Sequence, residues 1–165
     1  MRSKFLNIVL AALIVCGGFS LVGCATTSSS TMQTKTPYEQ AQTYVNSLNS
    51  VASDLSTKYG ELASTYSSGD AVATRLKINE IEETLDKVAS IEVPAALSDE
   101  GKKYQSACED MKSALSLMEE ATKSDTTAAD AATKVQEAQV KYDAAVKSFN
   151  EADESLKSKL NNLKS

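Results

Sequence analysis

Residues 128–156 read AADAATKVQEAQVKYDAAVKSFNEADESL. Within them Ala128, Ala131, Val135, Ala138, Tyr142, Ala145, Phe149, Ala152 and Leu156 recur at alternating three- and four-residue steps, which places them on one line of an α-helix. The large members Val135, Tyr142, Phe149 and Leu156 fall every seventh residue, and the small members Ala131, Ala138, Ala145 and Ala152 fall every seventh residue between them. A seam that alternates knobs with flat spots lets a neighbouring helix approach at each alanine while each large side chain fills a gap. The segment therefore predicts a long helix made to pack on other helices.

Upstream, the same spacing recurs in three further segments. Thr36-Pro37-Tyr38-Glu39 combines a capping hydroxyl, a proline at the first helical position and a glutamate three residues after the cap. From it runs the seam Tyr38, Ala41, Val45, Leu48, Ala52, Leu55, Tyr59, Leu62, Tyr66. Gly60 lies off that line and costs about 1 kcal/mol relative to alanine in a helix interior. Ser67-Ser68-Gly69-Asp70 sets a terminating glycine beside a new cap, which predicts a tight turn between helices.

A second, shorter helix is expected from Ala71 to about Ser90, with Ala71, Thr74, Ile78, Ile81, Leu85 and Val88 on one face. Val72 and Leu76 fall on the opposite face, where they either touch a third helix or the returning loop, or form an exposed contact for a partner. Pro94 keeps Val93 out of helical geometry, so a third helix starts at Pro94 or at Ser98. Its seam is Leu97, Gly101, Tyr104, Cys108, Met111, Leu115, Met118, Thr122, with Gly101 admitting a close neighbour. Ser124-Asp125-Thr126-Thr127 gives the last turn and cap; beyond Leu156 the step changes at Leu160 and Leu163, so the helix end frays or shifts its face.

Acid-before-lysine pairs at four-residue spacing, Glu83 with Lys87, Glu119 with Lys123, Asp130 with Lys134, Glu137 with Lys141, Asp143 with Lys147 and Asp153 with Lys157, mark solvated faces. The fold class expected is all-α, an antiparallel up-down four-helix bundle with heptad packing over residues 36–165. Three well-formed breaks favour it over a parallel coiled coil of identical chains.

The N-terminal segment carries different information. Met1-Arg2-Ser3-Lys4 is basic, and Phe5 to Val15 is apolar apart from Asn7. That run is shorter than the roughly 18 to 20 residues of a spanning helix, and it reads as a secretory signal. Leu21-Val22-Gly23-Cys24 closes it. A basic start, an apolar centre and Leu-Val-Gly-Cys resemble the signal peptide and lipobox of bacterial lipoproteins. The resemblance implies a signal peptide over residues 1–23, cleavage before Cys24, a diacylglycerol on its sulfur and an acyl chain such as palmitate on its new amino group. It also implies a cell-envelope address, and Ala25 in place of aspartate points to the periplasmic face of the outer membrane where the host has two membranes. Ala25 to Lys35 is small, polar and aperiodic, so residues 24–35 form a lipidated cysteine and a flexible tether. The heptad style is similar to that of the murein lipoprotein, but Leu163-Lys164-Ser165 lacks that family's terminal lysine, so covalent attachment to the wall is not expected.

Composition limits the chemistry. Loss of residues 1–23 removes Arg2 and Lys4 and no acid, leaving 15 basic against 22 acidic residues, a net charge of −7. An acidic domain of this kind repels nucleic acid, and its hold on the membrane comes from the lipid on Cys24. The chain has no histidine, which excludes Glu-x-x-His metal pairs, histidine-ligated haem and Ser/His/Asp or Cys/His catalysis. No carboxylate occupies a seam position and no glycine-rich phosphate loop is present, so no metal, cofactor or enzymatic activity is expected. Cys108 reads as a small buried filler in preference to a redox group. Two functions fit: an envelope protein with a structural, spacer or protein-binding role beside another envelope protein, or a carrier or sensor that holds an apolar ligand between its helices.

Overall fold

The computed structural model describes residues 35–164. The segments expected to be a signal peptide (residues 1–23) and a tether, with Cys24 between them, lie outside the described residues as far as Thr34. Four helices follow one another: α1 Pro37–Ser68, α2 Ala71–Ser90, α3 Ser98–Ala121 and α4 Ala128–Lys164, with a short 3-10 turn at Ala95–Leu97 before α3. The described residues form an all-α antiparallel up-down bundle.

Local chemistry sets the boundaries. At the start of α1 the Glu39 amide donates to Thr36 Oγ1 at 3.2 Å and the Thr36 amide donates to Glu39 Oε2 at 2.8 Å, closing a reciprocal capping box around Pro37. This pulls the Glu39 carboxyl below its ordinary range through the Thr36 backbone bond. Gly69 ends the helix at φ 79, a left-handed conformation in which an L side chain is strained. Asp70 then caps α2, its Oδ1 accepting from the Ala73 amide at 2.9 Å. Of the two starts open to α3, the helix proper takes Ser98. Pro94 is extended, and the residues between are spent on a 3-10 turn closed by the Leu97 amide donating to the Pro94 carbonyl at 2.8 Å. The α4 cap is Thr127, whose Oγ1 accepts from the Asp130 amide at 3.2 Å and donates to Asp130 Oδ2 at 2.7 Å.

Inter-helix contacts establish the antiparallel register. Between α1 and α2, Lys58 reaches Thr84 while Lys77 reaches Glu61; between α2 and α3, Arg75 reaches the Thr122 carbonyl while Lys112 reaches Asp86. Between α3 and α4, Glu120 meets Lys134 while Glu100 meets Ser155. In each pair of helices one number rises as its partner falls. The start of α1, the α2–α3 link and the end of α4 therefore share one end of the bundle. The Gly69 turn and the loop after Ala121 share the other. At 1.5 Å per residue the 32-residue α1 spans about 48 Å.

The four seams close on one core. Leu62, Ile78, Ile81, Leu97, Leu115, Ala138, Ala145, Ala152 and Leu156 are fully buried, and Tyr142, at 1 % exposure, is the most completely enclosed of the buried tyrosines. Packing is most extensive along α3 and α4, where the alanines of α4 let the axes approach. Ala128 and Ala71, the first residues of their helices, are exposed, and Phe149 is partly buried against Tyr104. The change of step after Leu156 does not end α4: Leu160 is buried, Leu163 packs at the edge of the core, and the helix runs to Lys164.

Several surface pairs differ from the expected i,i+4 pattern. Lys87 pairs with Asp54, Lys134 with Glu120 and Lys147 with Glu151, so the lysines reach across helices or forward in preference to their upstream acids. For Lys87 and Lys134 the partner acid lies on a neighbouring helix, whereas Lys147 turns forward along its own.

Candidate functional site

Val72 and Leu76 are exposed at 61 % and 57 %. Of the two readings left open for them, the described residues favour the exposed one: α2 packs on α1 and α3 by its Thr74, Ile78, Ile81, Leu85 face, and among the described residues no helix or loop covers Val72 and Leu76. They sit one turn apart in the first two turns of α2, at the end of the bundle opposite the start of α1. Arg75 between them is turned inward, donating to the Thr122 carbonyl at 3.1 Å and so capping the end of α3. A third exposed apolar residue, Val140, lies at 70 % exposure on α4.

The outward stripe of α1 is without charge. Thr43, Asn46, Ser50, Ser53, Thr57, Gly60, Ser64 and Ser67 are exposed and follow the same three-four steps as the core seam. The hydroxyls of Thr43, Thr57 and Ser67 donate to carbonyls four residues back on their own helix, at 2.9, 3.2 and 2.8 Å. A Cβ on Gly60 would meet nothing within 4 Å, so the glycine answers no packing need in the bundle. The stripe was legible as small polar residues at helical spacing, a signal easily passed over beside the apolar seam.

At the other end of the molecule Val93 is seated on Gly101, as the glycine in the α3 seam predicts. Beside this contact lies an open groove of about 300 Å³ lined by Val93, Ala95, Ser98, Gly101, Lys102 and Gln105.

The polar groups turned into the α3–α4 interface flank the seams. Glu100, next to Gly101, is only 8 % exposed and accepts from Ser155 Oγ at 2.9 Å, while Lys103 Nζ donates to the same Ser155 oxygen at 3.0 Å. Tyr104 donates to Asp153 Oδ1 and packs edge-on against Tyr44, with ring centroids 6.4 Å apart. Burial pushes the Asp153 carboxyl above its ordinary range, opposed by the Tyr104 hydrogen bond and by Lys157. Burial and the bond to Asp153 push the Tyr104 hydroxyl up as well, and burial takes Tyr44 to about 12. The seam positions themselves hold no carboxylate, but sequence periodicity did not show that acids one residue off the seam would be drawn in by a tyrosine and a serine across the interface.

Cys108 is buried as expected, and burial, with Asp86 nearby, pushes its thiol up to about 12. Its thiolate is therefore disfavoured at neutral pH. Among the described residues no group of three or more His, Cys, Asp or Glu is placed to hold a metal ion. No described helix is long and apolar enough to cross a membrane. No family model, curated protein or solved structure matches the chain.

Proposed function

We propose that the chain is a lipid-anchored cell-envelope protein, held through Cys24, whose helical bundle acts as a spacer and protein-binding module. The observation that carries this reading is the placement of Val72 and Leu76. The bundle begins at Thr36, a short tether after Cys24, and the exposed pair lies at its other end, about 48 Å away along α1. A rod that stands on its lipid would present this apolar pair to a partner away from the membrane surface. Two or three acyl chains, at about 0.8 kcal/mol per buried methylene, give firm attachment.

The interior also supports a binding role over catalysis or transport of a ligand. Its side chains are aliphatic, tyrosine, methionine, alanine and Cys108, and the buried polar groups are satisfied locally: Thr74 donates to the Asp70 carbonyl at 2.7 Å, Thr84 to the Glu80 carbonyl at 2.9 Å, and Glu100 accepts from Ser155. The alternative, a carrier or sensor for an apolar ligand between the helices, requires those contacts to separate.

The test is a photo-cross-linker introduced at Leu76 in the full-length protein in its native membranes, with native mass spectrometry of the same protein extracted in detergent. The reading expects a discrete adduct with an envelope protein, lost when Val72 is changed to Lys, and a protein mass without a bound small molecule. Absence of a protein adduct together with a stoichiometric apolar ligand in the mass spectrum would favour the carrier.

A further inference from the structure

Val72 and Leu76 begin the outward line of α2, which continues through Asn79 to Glu83, all four exposed. At 1.5 Å per residue this line is about 17 Å long, three turns of an opposing helix. The charges around it are unbalanced. α2 carries three basic side chains, Arg75, Lys77 and Lys87, and each is engaged within the bundle. Arg75 donates to the Thr122 carbonyl at 3.1 Å, and Lys77 is held between Glu61 at 2.8 Å and Glu80 at 2.9 Å. Lys87 turns to Asp54 at 3.7 Å and so leaves Glu83, its upstream acid, without an ion pair among the described residues. On the α3 side of the line Glu82 faces Glu119, and the nearby Lys112 is spent on Asp86 at 2.7 Å. Asp70 stands exposed at the head of the helix, one of its oxygens accepting from the Ala73 amide. The apolar pair therefore sits among acids whose neighbouring cations are already used.

We propose that this line is the docking face for a basic amphipathic helix of a partner protein: apolar side chains one turn apart cover Val72 and Leu76, and lysine or arginine side chains beside them meet Glu83, Glu82 and Asp70. The assignment rests on the protein-binding reading above and adds the chemistry of the partner. Two apolar side chains make a small contact, so the acids around them decide which helices are held. Opposite charge at the rim of an apolar contact steers the encounter, and like charge rejects wrong partners. A second copy of this acidic chain would bring acid against acid in an isologous contact on this face, and nucleic acid and anionic lipid are repelled for the same reason.

The test is a titration of the isotope-labelled full-length protein in non-ionic detergent at neutral pH, followed by amide chemical shifts. The probes are two synthetic helical peptides that share one leucine stripe and differ only in its flanks, lysine in one and glutamate in the other. The lysine peptide is expected to bind several-fold more tightly, with shifts centred on residues 70–83, and to weaken as salt rises. Glu83→Lys should remove most of that preference, and Leu76→Ser should weaken the lysine peptide. Glu154→Lys, an equal change of charge on an exposed residue near the other end of the bundle, should leave binding as it is, which separates the local effect from net charge. No binding of the lysine peptide, equal binding of the two, shifts spread over the whole acidic surface, or a preference untouched by Glu83→Lys would overturn the proposal. Where one of these results accompanies a cross-linked protein adduct at Leu76, the docking reading stands and only the chemistry assigned to the partner falls; where the adduct is missing too, both fall.

Discussion

The side chain of Val93 lies directly over Gly101: a Cβ built on that glycine would stand 2.6 Å from Val93 Cγ1 and 2.7 Å from Cγ2. The α2–α3 link thus closes onto the start of α3 because residue 101 has no side chain, and Leu97 in the same link is completely buried. Gly101→Ala should destabilise the bundle by about 1–3 kcal/mol through overpacking. Chemical unfolding measures it, and adding Val93→Ala in the same chain should recover part of the loss. Additive losses would mean the two side chains do not meet.

Gly60 is the opposite case. With open space over its Cα and a helical conformation, Gly60→Ala should stabilise the protein by about 0.5–1 kcal/mol, because alanine loses less backbone freedom on folding. The same unfolding measurement reads it, and a loss of stability would show that something occupies the outward face of α1.

Ala145 is fully buried at the α4 seam. Ala145→Leu is expected to cost about 1–3 kcal/mol by forcing the neighbouring helices apart. An unchanged melting temperature would place that face outside the core.

Cys108 should be inert in the folded protein. With its thiol pushed up to about 12 and its side chain buried, a thiol reagent at pH 8 should label it only after denaturation. Rapid labelling of the native protein would contradict the burial.

The architecture was readable because every helix repeats one periodic rule, and because Thr36, Gly69, Asp70 and Thr127 are residues whose side chains or backbone freedom determine where a helix starts and stops. Gly101 was readable for a related reason: glycine in a seam has few uses besides close approach. The start of α3 was left between Pro94 and Ser98, since proline restricts the residue before it without specifying whether a 3-10 or an α-helical turn follows. Val72 and Leu76 were visible as an off-face pair, but their exposure depends on where α3 packs, which is a tertiary fact. The Tyr104–Asp153 and Glu100–Ser155 bonds were not legible, because they join residues 49 and 55 positions apart and depend on the register between two helices. The cross-helix partners chosen by Lys87 and Lys134 have the same origin.

The proposed attachment to a membrane through Cys24 is tested most directly by fractionation of cells expressing the full-length protein or its Cys24→Ala variant. The wild-type protein is expected in the membrane fraction, with an intact mass that fits cleavage before Cys24 and the addition of diacylglycerol and an acyl chain, while the variant leaves the membrane. A Cys24→Ala protein that stays membrane-bound, or a wild-type protein of unmodified mass, would contradict it.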